Sequence, residues 1–177
     1  RIMSDNDLTA DDIKRIIVSA GDKMWGVISY PFAETPFQAK YSFPFLLAAI
    51  ALRGGAGRAE FREDFIRSDA CVVFQKKVET KVDDALGGDS DDIIATRLDI
   101  ETQDGRTITV DGRADYPGGP ITPFNDDAVD LKFDAATSGL LPADKAEAVR
   151  SMLRTFETQA DAGVLLDTLG KITVPVQ

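Results

Sequence analysis

Histidine is absent from this sequence, and cysteine occurs once, as Cys71. Without histidine the chain has no Ser-His-Asp or Cys-His arrangement for nucleophilic catalysis. One cysteine forms neither an internal disulfide nor a Cys/His zinc site. The residue types alone therefore exclude several large classes of enzyme.

Lys40 and Tyr41 are the first candidates for acid–base chemistry, because they lie immediately before a long apolar run, Phe43 to Leu52. A lysine beside a buried segment is a candidate general base, since loss of hydration lowers its pKa. The structural alternative is the commoner arrangement. In it, Lys40 extends into water and Tyr41 is a core residue whose hydroxyl is hydrogen-bonded.

Three loops resemble ligand-binding motifs but lack their key features. The glycines of residues 53–58 follow a helix instead of a strand and lack the Gly-Lys-Ser/Thr of a phosphate loop, so they predict a helix end. The acidic residues 83–92 lack the residue order of a calcium loop, and they predict a solvated loop. Residues 115–120 are rich in proline and glycine and lead to Asn125, where a helix N-terminus can meet a carboxylate ligand. The default interpretation of such a segment is a turn with a structural role only. We expect no metal and no organic cofactor.

The charge is uneven along the chain. The net charge is −10, and residues 83–134 carry 14 acidic and four basic side chains, which accounts for all of it. An acidic surface does not favour nucleic acid or an anionic membrane as a partner. The apolar run is about half as long as a bilayer span, and we expect no signal peptide, because no basic and apolar pattern of that kind is visible before it. The sequence therefore predicts a cytoplasmic domain.

Hydrophobic periodicity predicts the elements that must position these side chains. Alternating or β-branched runs indicate strands at 13–18, 78–82, 94–102 and 107–110, the last two joined by a turn at Asp104-Gly105. Helical patterns cover 36–53 with a kink at Pro44, 61–74 with a break at Ser68-Asp69, 125–138, 142–156 and 162–169. We expect one α+β domain over residues 1–177, with two layers: an antiparallel sheet and helices packed on one of its faces.

Three segments, in order and with their spacing, carry a resemblance to a known family. They are LTADDIKRIIV, then PFQAKYSFPFLLAAIALRGGAG followed by EFREDFIRSDACVVFQKKVE, then TQDGRTITVDGRADYPGGPITPFNDDAVDLKF. This set, within residues 8–170, resembles the C-terminal domain of the MmgE/PrpD family, the group of 2-methylcitrate dehydratase, cis-aconitate decarboxylase and iminodisuccinate epimerase. The resemblance implies a lid that follows a larger helical domain, which is absent here, and a homodimer.

The resemblance also implies an activity. Members of the family remove or move a proton next to a carboxylate of a small polycarboxylate, without a metal or cofactor, in a cleft between the two domains. Most of the histidines and lysines that do this lie in the helical domain, so the chain alone is expected to be inactive. The lid contributes a tyrosine in decarboxylase-like members. The matching position here, to within one residue, is Trp25, which has no acidic hydroxyl and so argues against a decarboxylase-like proton relay.

Two functions are therefore carried forward. The first is the lid of an MmgE/PrpD-like enzyme, a dehydratase, decarboxylase or epimerase, with Trp25, Lys40 and Tyr41 facing the substrate cleft. The alternative is a stand-alone acidic module that binds another protein or a copy of itself. A lid without its helical partner is expected to expose a large apolar surface, and an independent module is not.

Overall fold

A computed structural model describes residues 2–86, 95–112, 118–119 and 122–170. The chain forms two compact units, Arg1–Pro123 and Phe124–Gln177. The first contains α1 (Ile2–Asp5), β1 (Ile13–Ala20), α2 (Asp22–Val27), α3 (Pro36–Ala39), α4 (Phe43–Arg53), α5 (Glu63–Ile66), α6 (Asp69–Gln75), β2 (Val78–Val82), β3 (Thr96–Thr102) and β4 (Thr107–Gly112). The second contains α7 (Asp126–Thr137), α8 (Ala143–Arg154), a short 3-10 helix (Phe156–Thr158) and α9 (Gly163–Gly170). The prediction of a single domain over residues 1–177 stays a prediction.

The four strands form one mixed sheet in the order β2-β1-β3-β4. β3 pairs antiparallel with β1 and β4, but β2 pairs parallel with β1. The α+β class is confirmed, whereas the prediction of a wholly antiparallel sheet is wrong. The helices α2 to α6 separate β1 from β2, and such a crossover returns the chain in the same direction. A tight turn joins only β3 and β4, where Gly105 has a φ of +88°.

The sheet has one apolar face and one charged face. Ile16 and Val18 of β1 are buried beside Ile100 of β3, and they join Phe45 of α4 and Phe74 of α6 in a single core. On the opposite face, side chains pair across the strands: Arg15 with Glu79 and Glu101, Arg97 with Asp111, and Thr109 with Asp99. The helices α4 to α6 of the first unit therefore pack on the apolar face of the sheet, as the alternation in the strands predicts.

The predicted helix over 36–53 is two helices, and Pro44 does not kink either of them. The first ends at Ala39, and the second begins after Ser42, whose hydroxyl accepts a hydrogen bond from the Phe45 amide at 3.3 Å. Pro44 lies in the first turn of α4, where its missing N–H has no partner within the helix. The predicted break at Ser68-Asp69 is confirmed, because Ser68 caps α6. The sequence patterns missed the short helices α1 and α2.

The second unit has the predicted helices. Asn125 caps α7 by accepting a hydrogen bond from the Ala128 amide at 2.9 Å, and Gly139, with a φ of +73°, follows its end. Arg154 of α8 reaches back to Asp130 of α7 at 2.6 Å. Helices at 125–138, 142–156 and 162–169 are thus confirmed within one or two residues at each end. None of the described helices combines the length and the apolar character needed to cross a membrane.

Candidate functional site

A cavity of about 250 Å³ lies beside the edge strand of the sheet in the first unit. Four pieces of chain line it: Trp25 on α2, residues 28–31 after that helix, the start of α4 at Phe43 and Pro44, and residues 80–82 of β2. Of the three side chains predicted to face a cleft, only Trp25 lines this cavity. The site is thus assembled around that tryptophan.

Trp25 is held in place by its own polar and apolar contacts. Its indole N–H donates to the Ala20 carbonyl at 3.1 Å, at the end of β1. The same carbonyl accepts from the Asp83 amide at 3.0 Å, where the chain leaves β2. The indole also meets the Phe43 ring edge-to-face, with ring centroids 5.6 Å apart. Because its only hydrogen-bond donor is already used, Trp25 presents an apolar wall to the cavity and has no proton to exchange there.

The loop that forms the next wall is tied to the core through its main chain. The Tyr30 amide donates to the Tyr41 carbonyl at 3.1 Å. Farther along, the buried side chain of Gln75 accepts from the Ala33 amide at 2.8 Å and donates to the Ala33 carbonyl at 3.2 Å. These bonds connect the loop to the segment that precedes α4 and to α6, so the shape of this wall depends on the core beneath it.

Cys71, beside Gln75, is buried and takes no part in the cavity. Burial raises the pKa of its thiol, and the weak hydrogen bond with Gln75 opposes this only in part. A thiol with a raised pKa and no access to solvent is a poor nucleophile. Cys71 is therefore not a candidate nucleophile in this structure.

Lys40 and Tyr41 lie outside the cavity. Lys40 follows the end of α3 and is exposed. The Tyr41 side chain is 37% exposed and packs against Phe37 with ring centroids 5.4 Å apart, while its carbonyl supports Tyr30. The structure does not bring Lys40 or Tyr41 together with Trp25 in one pocket. That they face a substrate cleft in a larger protein stays a prediction.

Sequence reasoning missed the polar residues that line the cavity, which are Ser29, Tyr30, Thr80 and Lys81. Tyr30 precedes a proline, a pattern that by itself indicates only a loop. Lys81 belongs to an alternating strand, and the alternation indicates only that it lies on the wet face. The signal that could have found Lys81 is its place near the end of an edge strand, where side chains and main chain are both open to solvent.

The other motifs have structural roles wherever they are described. Gly54, with a φ of +80°, ends α4 as a C-cap, which agrees with the helix end predicted for residues 53–58. Residues 87–92 of the acidic loop and residues 115–117 and 120 of the proline–glycine loop lie outside the described residues. Within the parts of the chain that are described, no three or more Asp, Glu or Cys side chains are grouped so as to hold a metal ion.

Comparisons with known proteins give a matching family and a similar curated protein. A family described as the MmgE/PrpD C-terminal domain matches residues 1–158. Human cis-aconitate decarboxylase is 27% identical over 163 residues, which cover 92% of this chain and 33% of that protein. The chain therefore spans about a third of the length of this relative.

Proposed function

This chain belongs to the MmgE/PrpD family and corresponds to its C-terminal domain, and on that premise we propose that it is the lid of a two-domain enzyme that acts on small polycarboxylates. The reaction class is proton abstraction next to a carboxylate, without a metal or an organic cofactor. The curated relative is by name a decarboxylase. Decarboxylation differs from proton abstraction, because a carbon–carboxylate bond breaks, CO2 leaves and the carbon takes up a proton.

The observation that carries the proposal is the cavity around Trp25. Proton abstraction next to a carboxylate needs a base, an acid and cations that bind the substrate. The cavity offers an apolar aromatic wall and one cation, Lys81, but no histidine, because the chain has none. A wall of this kind excludes water and shapes the substrate. The base then has to come from the helical domain, and the chain alone is inactive.

The position of Trp25 also bears on the reaction type. The indole N–H is used by the Ala20 carbonyl, so this residue shapes the pocket and cannot relay a proton. The hydroxyl-bearing residues of the cavity are Ser29, Tyr30 and Thr80. We propose that dehydration or epimerisation, which need no phenol at position 25, fits this lid better than decarboxylation through a tyrosine at that position.

The proposal is tested by joining the chain to a helical domain of the family that carries histidines. Exchange of solvent deuterium into a polycarboxylate substrate, followed by NMR, detects proton abstraction whichever product forms. We expect exchange with the two-domain protein and none with the 177-residue chain alone. In the two-domain protein, Trp25→Ala is expected to lower kcat/KM by about tenfold or more, because the substrate loses one wall of its pocket.

Phe156→Ala is the matched control, because it removes an exposed aromatic ring from the second unit, far along the chain from the cavity. It is expected to leave kcat/KM unchanged. Equal kcat/KM for the Trp25→Ala and wild-type proteins would show that the site is assigned wrongly. Exchange by the chain alone would contradict its role as a lid.

A self-association module is the second candidate. Large apolar side chains are exposed on the helices of the second unit, with Leu131 71% and Leu166 68% accessible. This exposure is expected of a lid without its helical partner and so favours the first candidate, but a second copy of the chain would cover the same side chains in a self-associating module. Such side chains are commonly covered by another protein surface. Light scattering separates the two functions: a self-associating module forms a dimer alone, whereas a lid is expected to be monomeric until its helical domain is added.

A further inference from the structure

One side of α4 is apolar although it does not face the core. The buried residues of the helix share its inner side: Pro44, Phe45, Ala48 and Ala49. The opposite side presents four other apolar residues, which we call the outer stripe: Phe43, Leu46, Leu47 and Ile50. Their spacing of i, i+3, i+4 and i+7 places them in one row along the helix. None of the four is fully buried, and Ile50 is 44% exposed.

The composition of α4 is unusual for a helix with one side open to solvent. Such a helix normally has polar residues on its outward side, whereas a helix that is apolar all round is normally enclosed. α4 has a single charged residue, Arg53, and it is the last one. Among the described residues, α6 and β2 pack against α4, and Trp25 meets Phe43 edge-to-face. Because a row with this spacing is the surface that a second helix contacts, we expect a helix to cover the outer stripe.

The charge around the outer stripe has one sign. No aspartate or glutamate lies between Glu34 and Glu60, although acidic residues outnumber basic ones by 30 to 20 in the chain. Lys40 precedes α4, Arg53 ends it, and both are exposed. Neither forms an ion pair with an acidic residue of the described ranges, and the Arg53 guanidinium instead lies 5.0 Å from the centre of the Phe65 ring. Cations without ion partners at both ends of an apolar row favour a partner with carboxylates at the matching places.

The same charges oppose a second copy of the chain as the partner. If the outer stripes of two copies packed antiparallel, Lys40 of each copy would lie beside Arg53 of the other. In a parallel pair, each cation would meet the same cation of the other copy. Like charges would therefore meet at both ends in either arrangement, and such contacts suppress pairing.

We propose that the outer stripe binds an amphipathic helix whose own apolar row has a carboxylate near each end. Apolar side chains of that helix pack against Leu46, Leu47 and Ile50, and its carboxylates pair with Lys40 and Arg53. Exposed ion pairs contribute little free energy, so the apolar contact supplies most of the affinity and the charges select the partner. The inference depends on α4 and its flanking cations. It does not depend on the reaction proposed above, which deuterium exchange tests separately.

Two synthetic peptides of about 18 residues, long enough for helix formation, test the proposal. Both have leucines at the i, i+3, i+4 and i+7 positions, with alanine and glutamine elsewhere. One carries glutamates in its first and last turns, and the other carries lysines there. Fluorescence anisotropy of the labelled peptides gives their Kd values for the 177-residue chain. The glutamate peptide is expected to bind about tenfold more tightly, because two attractions replace two repulsions, and the difference should shrink at about 1 M salt.

Two serine variants test whether the apolar row is the contact. Ile50→Ser is expected to weaken binding of the glutamate peptide by about tenfold, because one large apolar side chain is no longer buried by the partner. Val73→Ser is the matched control, since Val73 is also β-branched and exposed but lies on α6, outside the outer stripe. It is expected to change the Kd by less than about twofold, the usual size of a surface substitution.

Two double variants test the charges. Lys40→Met combined with Arg53→Met is expected to abolish the preference for the glutamate peptide over the lysine peptide. Lys76→Met combined with Lys81→Met removes the same charge from exposed positions outside α4. This control is expected to change the preference by less than about twofold, the size of a screened surface charge effect. The amide NMR spectrum of each variant reports whether the fold is retained.

Equal affinities for the two peptides, or equal effects of Ile50→Ser and Val73→Ser, would overturn the proposal. Methyl NMR locates the contact: shifts at Leu46, Leu47 and Ile50 support it, and shifts confined to other residues reject it. A dimer in light scattering that Ile50→Ser dissociates would also overturn the proposal, because a second copy would then cover the outer stripe.

Discussion

Replacing Gln75 by leucine removes the hydrogen bonds that hold the cavity loop to the core. The Gln75 side chain is 1% exposed, and it bonds both the amide and the carbonyl of Ala33, a residue with no exposed surface. Leucine has nearly the same size but no polar atom, and water cannot reach the two main-chain groups. Each buried group without a partner costs about 1 to 3 kcal/mol. We expect a loss of about 2 to 4 kcal/mol, after the gain from burying a more apolar side chain.

Gln38→Leu is the matched control, because Gln38 makes the same kind of bond to the same loop in an exposed place. Its side-chain oxygen accepts from the Glu34 amide at 2.8 Å. Water can replace that partner, so the expected loss is below about 1 kcal/mol. Urea unfolding measures both variants through the fluorescence of Trp25, the only tryptophan in the sequence. Equal losses for the two variants would refute the reasoning that burial sets the cost.

Two further predictions concern pH and the backbone. Hydrogen bonds from Thr102 and Arg106 lower the pKa of Asp104. Stability from this group is present above its unfolded pKa, about 4, and is lost as the pH falls through the lower folded value. Urea unfolding between about pH 2.5 and 7 should show this loss, and a slope unchanged in Asp104→Asn would contradict it. Gly54→Ala should destabilise the protein by about 1 kcal/mol, because Gly54 has a φ of +80°, which residues with a Cβ atom rarely adopt. No atom lies within 4 Å of the added carbon, so the cost comes from the backbone conformation and not from a clash. Gly26→Ala, inside α2 and equally unhindered, should stabilise by about 0.5 to 1 kcal/mol, and thermal unfolding should give shifts of opposite sign.

The strands of this fold are predictable from the sequence because a period of two is a local signal. The alternation around Leu98 and Ile100 places both on the apolar face, and the structure pairs them with Val18 and Ile16. The direction of β2 is not a local property. It depends on where the intervening helices return the chain, and an alternating pattern is the same in a parallel and an antiparallel pair.

The helix ends are harder to predict, because a proline in the first turn of a helix and a proline inside a helix can be flanked by the same kinds of residue. Pro44 follows an apolar residue on a helical pattern, which favours a kink when only the pattern is considered. The deciding contact is the Ser42 hydroxyl, which caps the Phe45 amide. A serine two residues before a proline is the signal that places the boundary correctly.

The candidate site is only partly predictable, because it is assembled from segments far apart in the sequence. The family resemblance indicates Trp25, but nothing in its neighbourhood indicates that residues 80–82 lie beside it. The parallel pairing of β1 with β2 brings Trp25 and residues 80–82 together. The Ala20 carbonyl at the end of β1 accepts hydrogen bonds from both the Trp25 indole and the Asp83 amide. Lys40 and Tyr41 are candidates because they lie beside an apolar run, and this position does not determine which cavity a side chain lines.

The Gln75 hydrogen bonds also determine which part of the chain opens more readily when they are removed. In native-state hydrogen exchange, the Ala33 amide of Gln75→Leu should exchange faster than in the wild-type chain by more than global unfolding explains, since its partner is gone. The Tyr30 amide lies on the same loop and donates a hydrogen bond to the Tyr41 carbonyl. It should also exchange faster if the loop opens as one piece. If only Ala33 responds, the Tyr30–Tyr41 bond holds the cavity wall by itself. The pocket around Trp25 would then keep its shape, and the loss of Gln75 would lower only the free energy of unfolding.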